Sequence, residues 1–207
     1  MMKLIIASHN EDKCVELIES LEDQGFEVYT LNHFPEIGEI IEDGKSLEEN
    51  ALIKARASYN HTGIASIGDD TGLFVDALNG DPGIFSARYA GEICTYGDNV
   101  NKLLKEMSNV CIEDRSANFI TAMSFVDNKM ELTVEGSVQG SILDSPKGTG
   151  GFGYDSVFYI KERNKTFAEM TLEEKNTISH RARAIIKMKN LLYKLHNKSV
   201  SERGGPA

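Results

Sequence analysis

The stretch SIGDDTGLFVDAL (residues 66–78) sets two neighbouring carboxylates, Asp69 and Asp70, just behind the run at residues 64–67. That run reads as a buried strand, and Thr71-Gly72 reads as the turn that ends it. Two like charges side by side at a buried strand end repel each other. Ionising both becomes tolerable when a cation lies between them; otherwise one keeps its proton. The plain structural alternative has one acid capping the turn and the other facing water. A buried strand end is nevertheless a poor place for carboxylates without partners.

Outward from this stretch, strands and helices alternate. Residues 3–7 read as a first strand. Asn10 caps a helix with Glu11 and Asp12 in its first turn and an apolar stripe of Cys14, Leu17, Ile18 and Leu21; Gly25 suits the left-handed position after its end. Ser46, with Glu49 three residues on, forms the capping box of a helix running through Leu52, Ala55 and Tyr59. Residues 99–107 read as a helix, residues 117–126 and 130–138 as a strand pair around Asp127-Asn128, and residues 157–160 as a short strand. Thr171, with Glu174 three residues on, caps one long helix bearing Ile178, Ala182, Ile185 and Leu192. The order predicts an α/β fold with a mixed sheet. A single domain over residues 1–197 is expected, with residues 198–207 as a frayed tail.

The chain has 207 residues, 41% hydrophobic and 26% charged, which is ordinary for a soluble globular protein. Its net charge of −10 argues against nucleic acid as a partner, because phosphate polymers are bound by electropositive faces. A small polyphosphate can still be held through a divalent metal or a local cluster of Lys and Arg. Cys14, Cys94 and Cys111 are odd in number and lack metal-ligand spacing, which suits buried thiols in a reducing compartment. The apolar part of MMKLIIASHN is too short for a signal peptide or a membrane span, so no membrane partner and a cytoplasmic location are expected.

Four polar clusters interrupt the regular patterns. In SHNEDK (residues 8–13) a strand enters a helix through small polar residues, leaving free N–H groups that bind phosphate oxygens, with Lys13 adding charge; simple capping by Asn10 is the alternative. In residues 41–55, Glu42, Asn50 and Lys54 could each be a surface or loop-bonding side chain. Glu42 together with Asp69 or Asp70 could also supply the carboxylate oxygens that Mg²⁺ prefers. In KGTGGFGYDSVF (residues 147–158), glycines let the backbone approach a ligand, while Phe152 and Tyr154 offer stacking faces and Asp155 an acceptor, a pairing that suits a nucleobase. The competing reading tucks Phe152 into the core of a flexible hairpin. EEKNTISHR gathers the donors Lys175, His180 and Arg181 on one helix. Together the clusters ask for one ligand with a base, a polyphosphate and a divalent metal.

In this order and spacing, SHNEDK, SLEENALIKARA, GDDTGLFVDALNGDPGIFSARYAGE, GTGGFGYDSVF and EEKNTISHRARA resemble the inosine/xanthosine triphosphate pyrophosphatases over almost the whole chain. That family's first motif usually begins Thr-Gly-Asn where this chain has Ser8-His9-Asn10. Its acid pair is usually followed by Ser, here Thr71, and Ser156 stands where a Pro is common. The resemblance implies an elongated mixed sheet flanked by helices, with a nucleotide cleft between two lobes, usually in a homodimer. It implies Mg²⁺-dependent hydrolysis of ITP, dITP or XTP to the monophosphate and pyrophosphate. By the same resemblance Ser8, His9, Asn10, Glu11, Asp12, Lys13 and Lys54 would cradle phosphates, and Thr71 would touch substrate. Glu42 and Asp70, with Asp69 as the alternative ligand, would hold metal, and Asp70 would be the general base. Phe152, Gly153, Tyr154, Asp155, Lys175, His180 and Arg181 would complete the nucleotide pocket. Septum-associated nucleotide pyrophosphatases and a non-catalytic nucleotide sensor are the competing functional readings.

Overall fold

Strand β1 (Met2–Ile6) feeds helix α1 (Glu11–Glu22) through Ser8, His9 and Asn10, and the Asn10 side chain accepts from Lys13 N at 3.0 Å as the expected cap. The computed structural model describes residues 2–22 and 26–203, positions 2, 20, 22 and 194–203 by backbone alone. The helix end expected at Gly25 lies outside the described residues. Strand β2 (Phe26–Thr30) returns parallel to β1, and helix α2 (Leu47–Thr62) then crosses to strand β3 (Ser66–Val75) on the other side of β1. Ser46 Oγ caps α2 by accepting from Glu49 N, but the Glu49 carboxylate takes Lys45 N at 2.6 Å, so the expected capping box is half formed.

β3 corrects the opening expectation. It does not end at the acid pair but runs through it, with Asp69, Asp70 and Thr71 paired to Met123, Ala122 and Thr121 of strand β5 (Ser116–Val126). The apparent turn Thr71-Gly72 is mid-strand because glycine serves close approach here, not reversal. At Gly68 a Cβ would stand 2.1 Å from the Ala51 carbonyl oxygen of α2, and at Gly72 it would meet the Gly83 oxygen at 2.6 Å in strand β4 (Pro82–Gly83).

β5 and strand β6 (Glu131–Ile142) form the expected antiparallel pair, longer than the sequence pattern indicates. Strands β7 (Phe158–Ile160) and β8 (Lys165–Thr166) extend it, giving the sheet order β2-β1-β3-β5-β6-β7-β8 with β4 on β3. Helix α3 (Tyr96–Glu106) starts three residues earlier than expected, on a Thr95–Asp98 capping box. The long helix expected from Thr171 is broken. The Thr171–Glu174 capping box opens short α4 (Leu172–Asn176), and α5 (His180–Arg203) follows, extending helical backbone through residues 198–203.

Leu4, Ile6, Leu17, Ile67, Met123, Phe125 and Ile185 form one core between the sheet, α1 and α5. On the other face, Leu47 and Ala51 of α2 pack against Ala122. Leu73, Val75, Leu103, Phe119 and Phe158 fill the core under α3. No helix among the described residues is long and apolar enough to cross a membrane.

Candidate active site

β1 is the point where successive connections leave in opposite directions, to β2 on one side and β3 on the other. In open α/β sheets a crevice forms outside the carboxyl ends of the strands at such a point. Here β1 stops at Ile6 while β3 continues, and a cavity of about 310 Å³ opens beyond it. Ser8, His9, Asn10 and Lys13 line it from the start of α1. Glu11 and Asp12 do not line it; they sit in the first turn of α1, where acids complement the helix dipole.

Successive strand residues face opposite sides of a sheet, so the two neighbouring acids have separate surroundings. Asp69 shares the face of Ile67, toward α1 and α5. Its side chain is fully buried; Arg181 Nε reaches its Oδ2 at 3.0 Å and Lys13 Nζ lies 2.9 Å from its Oδ1, an ion pair short of hydrogen-bond alignment. Burial pushes the carboxyl pKa up, but Arg181, Lys13 and Lys54 more than offset this and hold it well below the usual range. Asp70 faces α2 and lines the cavity. Its Oδ2 accepts from Asn50 Nδ2 at 3.0 Å and its Oδ1 from Thr71 N at 3.0 Å. Asn50 meanwhile accepts from Gly44 N at 2.9 Å, so it ties the loop before α2 to Asp70.

Lys54 Nζ stands 2.9 Å from Glu42 Oε2 and 3.6 Å from Asp70 Oδ1. Two carboxylates therefore converge on one positive charge at the cavity wall. No group of three or more His, Cys, Asp or Glu among the described residues forms a closed metal cage. Two carboxylates beside an open cavity suit a hard divalent cation that keeps water and takes phosphate oxygens. Of the three acids expected to hold metal, Glu42 and Asp70 line the cavity and Asp69 does not, its carboxylate being taken by Lys13 and Arg181.

The opposite wall comes from the glycine-rich loop and the α4–α5 junction. Phe152, Gly153, Tyr154, Asp155, Lys175, His180 and Arg181 all line the cavity, as do Thr71 and Lys54. The Phe152 ring is not tucked into the core. Lys175 Nζ lies 4.9 Å and the Arg181 guanidinium carbon 5.7 Å from its centroid. Tyr154 is buried and donates to the Ser86 carbonyl at 3.0 Å, so its ring braces the loop. Asp155 Oδ2 accepts from Phe152 N at 3.0 Å and from Lys175 Nζ at 2.6 Å; a Cβ at Gly151 (φ +67) would stand 2.1 Å from that oxygen. His180 stacks on Phe119 at 4.6 Å with its Nδ1 buried and without a hydrogen-bond partner. Burial, Arg181 and Lys175 together lower its pKa well below the usual value, so the imidazole is neutral at pH 7.

A strand–helix phosphate-type terminus, two converging acids and a half-buried ring beside two cations now surround one cavity. The model of the Ham1 family matches residues 4–191. The chain belongs to the Ham1 family. It is 48% identical over 193 residues to a dITP/XTP pyrophosphatase of Thermoanaerobacter pseudethanolicus, covering 93% of this chain and 98% of that one. It is 44% identical to a dITP/XTP pyrophosphatase of Geobacter sulfurreducens, covering 93% and 97%. Among solved structures, the Staphylococcus aureus Ham1 protein superposes with a TM-score of 0.83 at 37% identity, covering 93% of this chain and 98% of that one. A HAM1 protein from Coxiella burnetii gives 0.85 at 36%, covering 94% and 100%.

In this Ham1 family member the sequence patterns missed Glu16, Tyr96 and Arg88. Glu16, buried on α1, accepts from Lys175 Nζ at 2.7 Å and also holds Arg181. Its own pKa would rise on burial, but Arg181 and Lys175 lower it overall. Tyr96 OH accepts from Asn10 Nδ2 at 3.0 Å and donates to Asp12 Oδ2 at 3.2 Å, while its ring lies 5.9 Å from Phe152. It thereby links the α1 terminus to the glycine-rich loop. An acid beside an apolar stripe carries no local signal of burial. Thr95 and Asp98 were the capping-box signal that could have placed Tyr96 on α3.

Proposed function

We propose that the chain hydrolyses non-canonical purine nucleoside triphosphates of the dITP, ITP and XTP kind to the monophosphate and pyrophosphate, in a Mg²⁺-dependent reaction. The observation that carries this reading is that Lys13, Glu42, Asp70, Phe152 and Arg181 all line one cavity. The relatives at 48% and 44% identity, both dITP/XTP pyrophosphatases, support it. The N-terminus of α1, with Ser8, His9, Asn10 and Lys13, takes the phosphate chain. Glu42 and Asp70 would hold the metal, and Mg²⁺ bound there would supply positive charge to phosphate oxygens.

Asp70 orients a water toward the α-phosphorus and accepts its proton as the new P–O bond forms and pyrophosphate leaves. Asn50 and Thr71 N fix the carboxylate for that task. The base lies against Phe152. Arg181 has Nε, Nη1 and Nη2 engaged by Asp69, Glu16 and Thr71, which fixes its plane. A remaining N–H meets the C6 carbonyl of hypoxanthine or xanthine. Adenine presents an amino group there, setting donor against donor; a site built on such a bond rejects the wrong base by roughly 10⁴. A cytoplasmic homodimer completes the reading, supported by the family resemblance and checked by sedimentation.

The test is a panel of dITP, XTP, ITP, GTP and ATP assayed side by side with Mg²⁺, separating pyrophosphate from orthophosphate. Pyrophosphate from the first three, with ATP slower by several orders of magnitude, is expected. Tight dITP binding without pyrophosphate release would mean a sensor, and equal rates on ATP would remove the base-recognition argument.

A further inference from the structure

Of the Lys and Arg side chains that line the cavity among the described residues, four are already matched by carboxylates of the fold. Lys13 pairs with Asp69 at 2.9 Å and Lys54 with Glu42 at 2.9 Å. Lys175 lies 2.6 Å from Asp155 and 2.7 Å from Glu16, and Arg181 holds both Glu16 and Asp69. Glu39 and Asp70 add further negative charge to the same wall. The acids around the cavity thus outnumber these cations, an unfavourable surrounding for a ligand that itself carries several negative charges. A divalent metal corrects part of that imbalance.

Arg88 is the remaining cation. Its Nε is 4.0 Å from Glu92 Oε1, and the Glu92 side chain is 88% exposed, so the pair is a weak surface contact. The guanidinium carbon rests 5.2 Å from the centroid of Phe85, itself an exposed ring. The base of the side chain is firmly placed, because Arg88 N donates to the Phe85 carbonyl at 3.0 Å and Ser86 Oγ to the Gly83 carbonyl at 2.6 Å. A fixed stem therefore carries a head that no buried carboxylate holds, at the edge of a cavity short of positive charge.

We propose that Arg88 is a polyphosphate-binding residue, its guanidinium leaving Phe85 and Glu92 to take phosphate oxygens through its planar pair of donors. The identity of the ligand rests on the pyrophosphatase reading; the charge argument needs only a polyphosphate. Two arms separate them. Binding of inorganic tripolyphosphate is measured by calorimetry without metal, and pyrophosphate release from dITP is measured with Mg²⁺, for the wild type, Arg88→Gln and Arg88→Lys. Arg88→Gln is expected to weaken tripolyphosphate binding and raise the dITP KM by roughly tenfold to a hundredfold, the range of one charge-assisted hydrogen bond, with kcat little changed. Arg88→Lys regains part of both, which a merely structural arginine would not explain. Unchanged tripolyphosphate binding in Arg88→Gln overturns the proposal, as does a wild type that binds no tripolyphosphate. If the wild type binds tripolyphosphate but releases no pyrophosphate from dITP, the pyrophosphatase reading fails and the binding arm still decides the role of Arg88.

Discussion

Asp69 and Asp70 differ by one position along β3 and by a whole environment. Asp69 is enclosed, with Arg181 and Lys13 as its charge partners. Removing one member of a buried ion pair strands the other charge and costs about 3–5 kcal/mol. Asp69→Asn is therefore expected to lose stability toward the lower end of that range in urea unfolding, because Lys13 loses its carboxylate and Arg181 keeps only that of Glu16, shared with Lys175. Asp70 sits at the cavity wall, where its two oxygens accept from Asn50 Nδ2 and Thr71 N; an amide there keeps one of these bonds and sets its own NH2 against the other donor. Asp70→Asn should lose less stability than Asp69→Asn, about 1–3 kcal/mol for the one donor left unpaired, while pyrophosphate release from dITP falls on the order of a hundredfold or more. Like-for-like losses in both variants would mean that the two acids share one role, contrary to the strand geometry. The puzzle posed by the adjacent acids is thus settled without invoking a shared proton: pleating separates them, and different cations face each one.

At the scale of elements, the joint of α2 with β3 sets the site. Gly68 lets the α2 backbone approach so closely that a Cβ would stand 2.1 Å from Ala51 O and 2.9 Å from Ala55 N, both backbone atoms that cannot rotate away. Gly68→Ala must push α2 outward and with it Asn50 and Lys54, the partners of Asp70. Overpacking of this kind costs roughly 1–3 kcal/mol, and turnover on dITP should fall more than tenfold; a variant with wild-type urea midpoint and turnover would show that the joint tolerates displacement. The same joint shows where sequence reading succeeds and fails. Caps at Asn10, Ser46 and Thr171 and the hairpin at Asp127-Asn128 are local chemistry, and they are legible. Asp-Asp-Thr-Gly has the composition of a turn, and only Arg181 and Lys13, brought in from α5 and α1, make it affordable as a strand interior. The break between α4 and α5 was equally hidden. On one continuous helix, Lys175 and Arg181 would point roughly 120° apart, whereas the break lets both reach Glu16, which lies 159 positions from Lys175 in the chain. No window of sequence spans that distance.

For the whole molecule, charge decides what the fold can do unaided. The chain carries −10 overall, and its buried acids at the site are matched by its own lysines and arginines. The fold therefore does not depend on a metal for internal neutrality: Lys54 already lies between Glu42 and Asp70, and Asn50 braces Asp70. Substrate is different, because its phosphates meet a wall of matched charges with little cation to spare. Withdrawing divalent ions with a chelator should leave the melting temperature within a few degrees of the untreated protein, since no metal holds the core together. The same treatment should remove pyrophosphate release from dITP, and added Mg²⁺ should restore it, while Na⁺ at equal ionic strength should not, because screening cannot replace a dication that carboxylates and phosphate oxygens would bind directly. A melting temperature that collapses on chelation would make the metal structural and break the link between Lys54 and the carboxylate pair. Turnover that survives chelation would remove the metal from the reaction and leave Lys13, Lys54 and Arg88 to carry the phosphate charge alone.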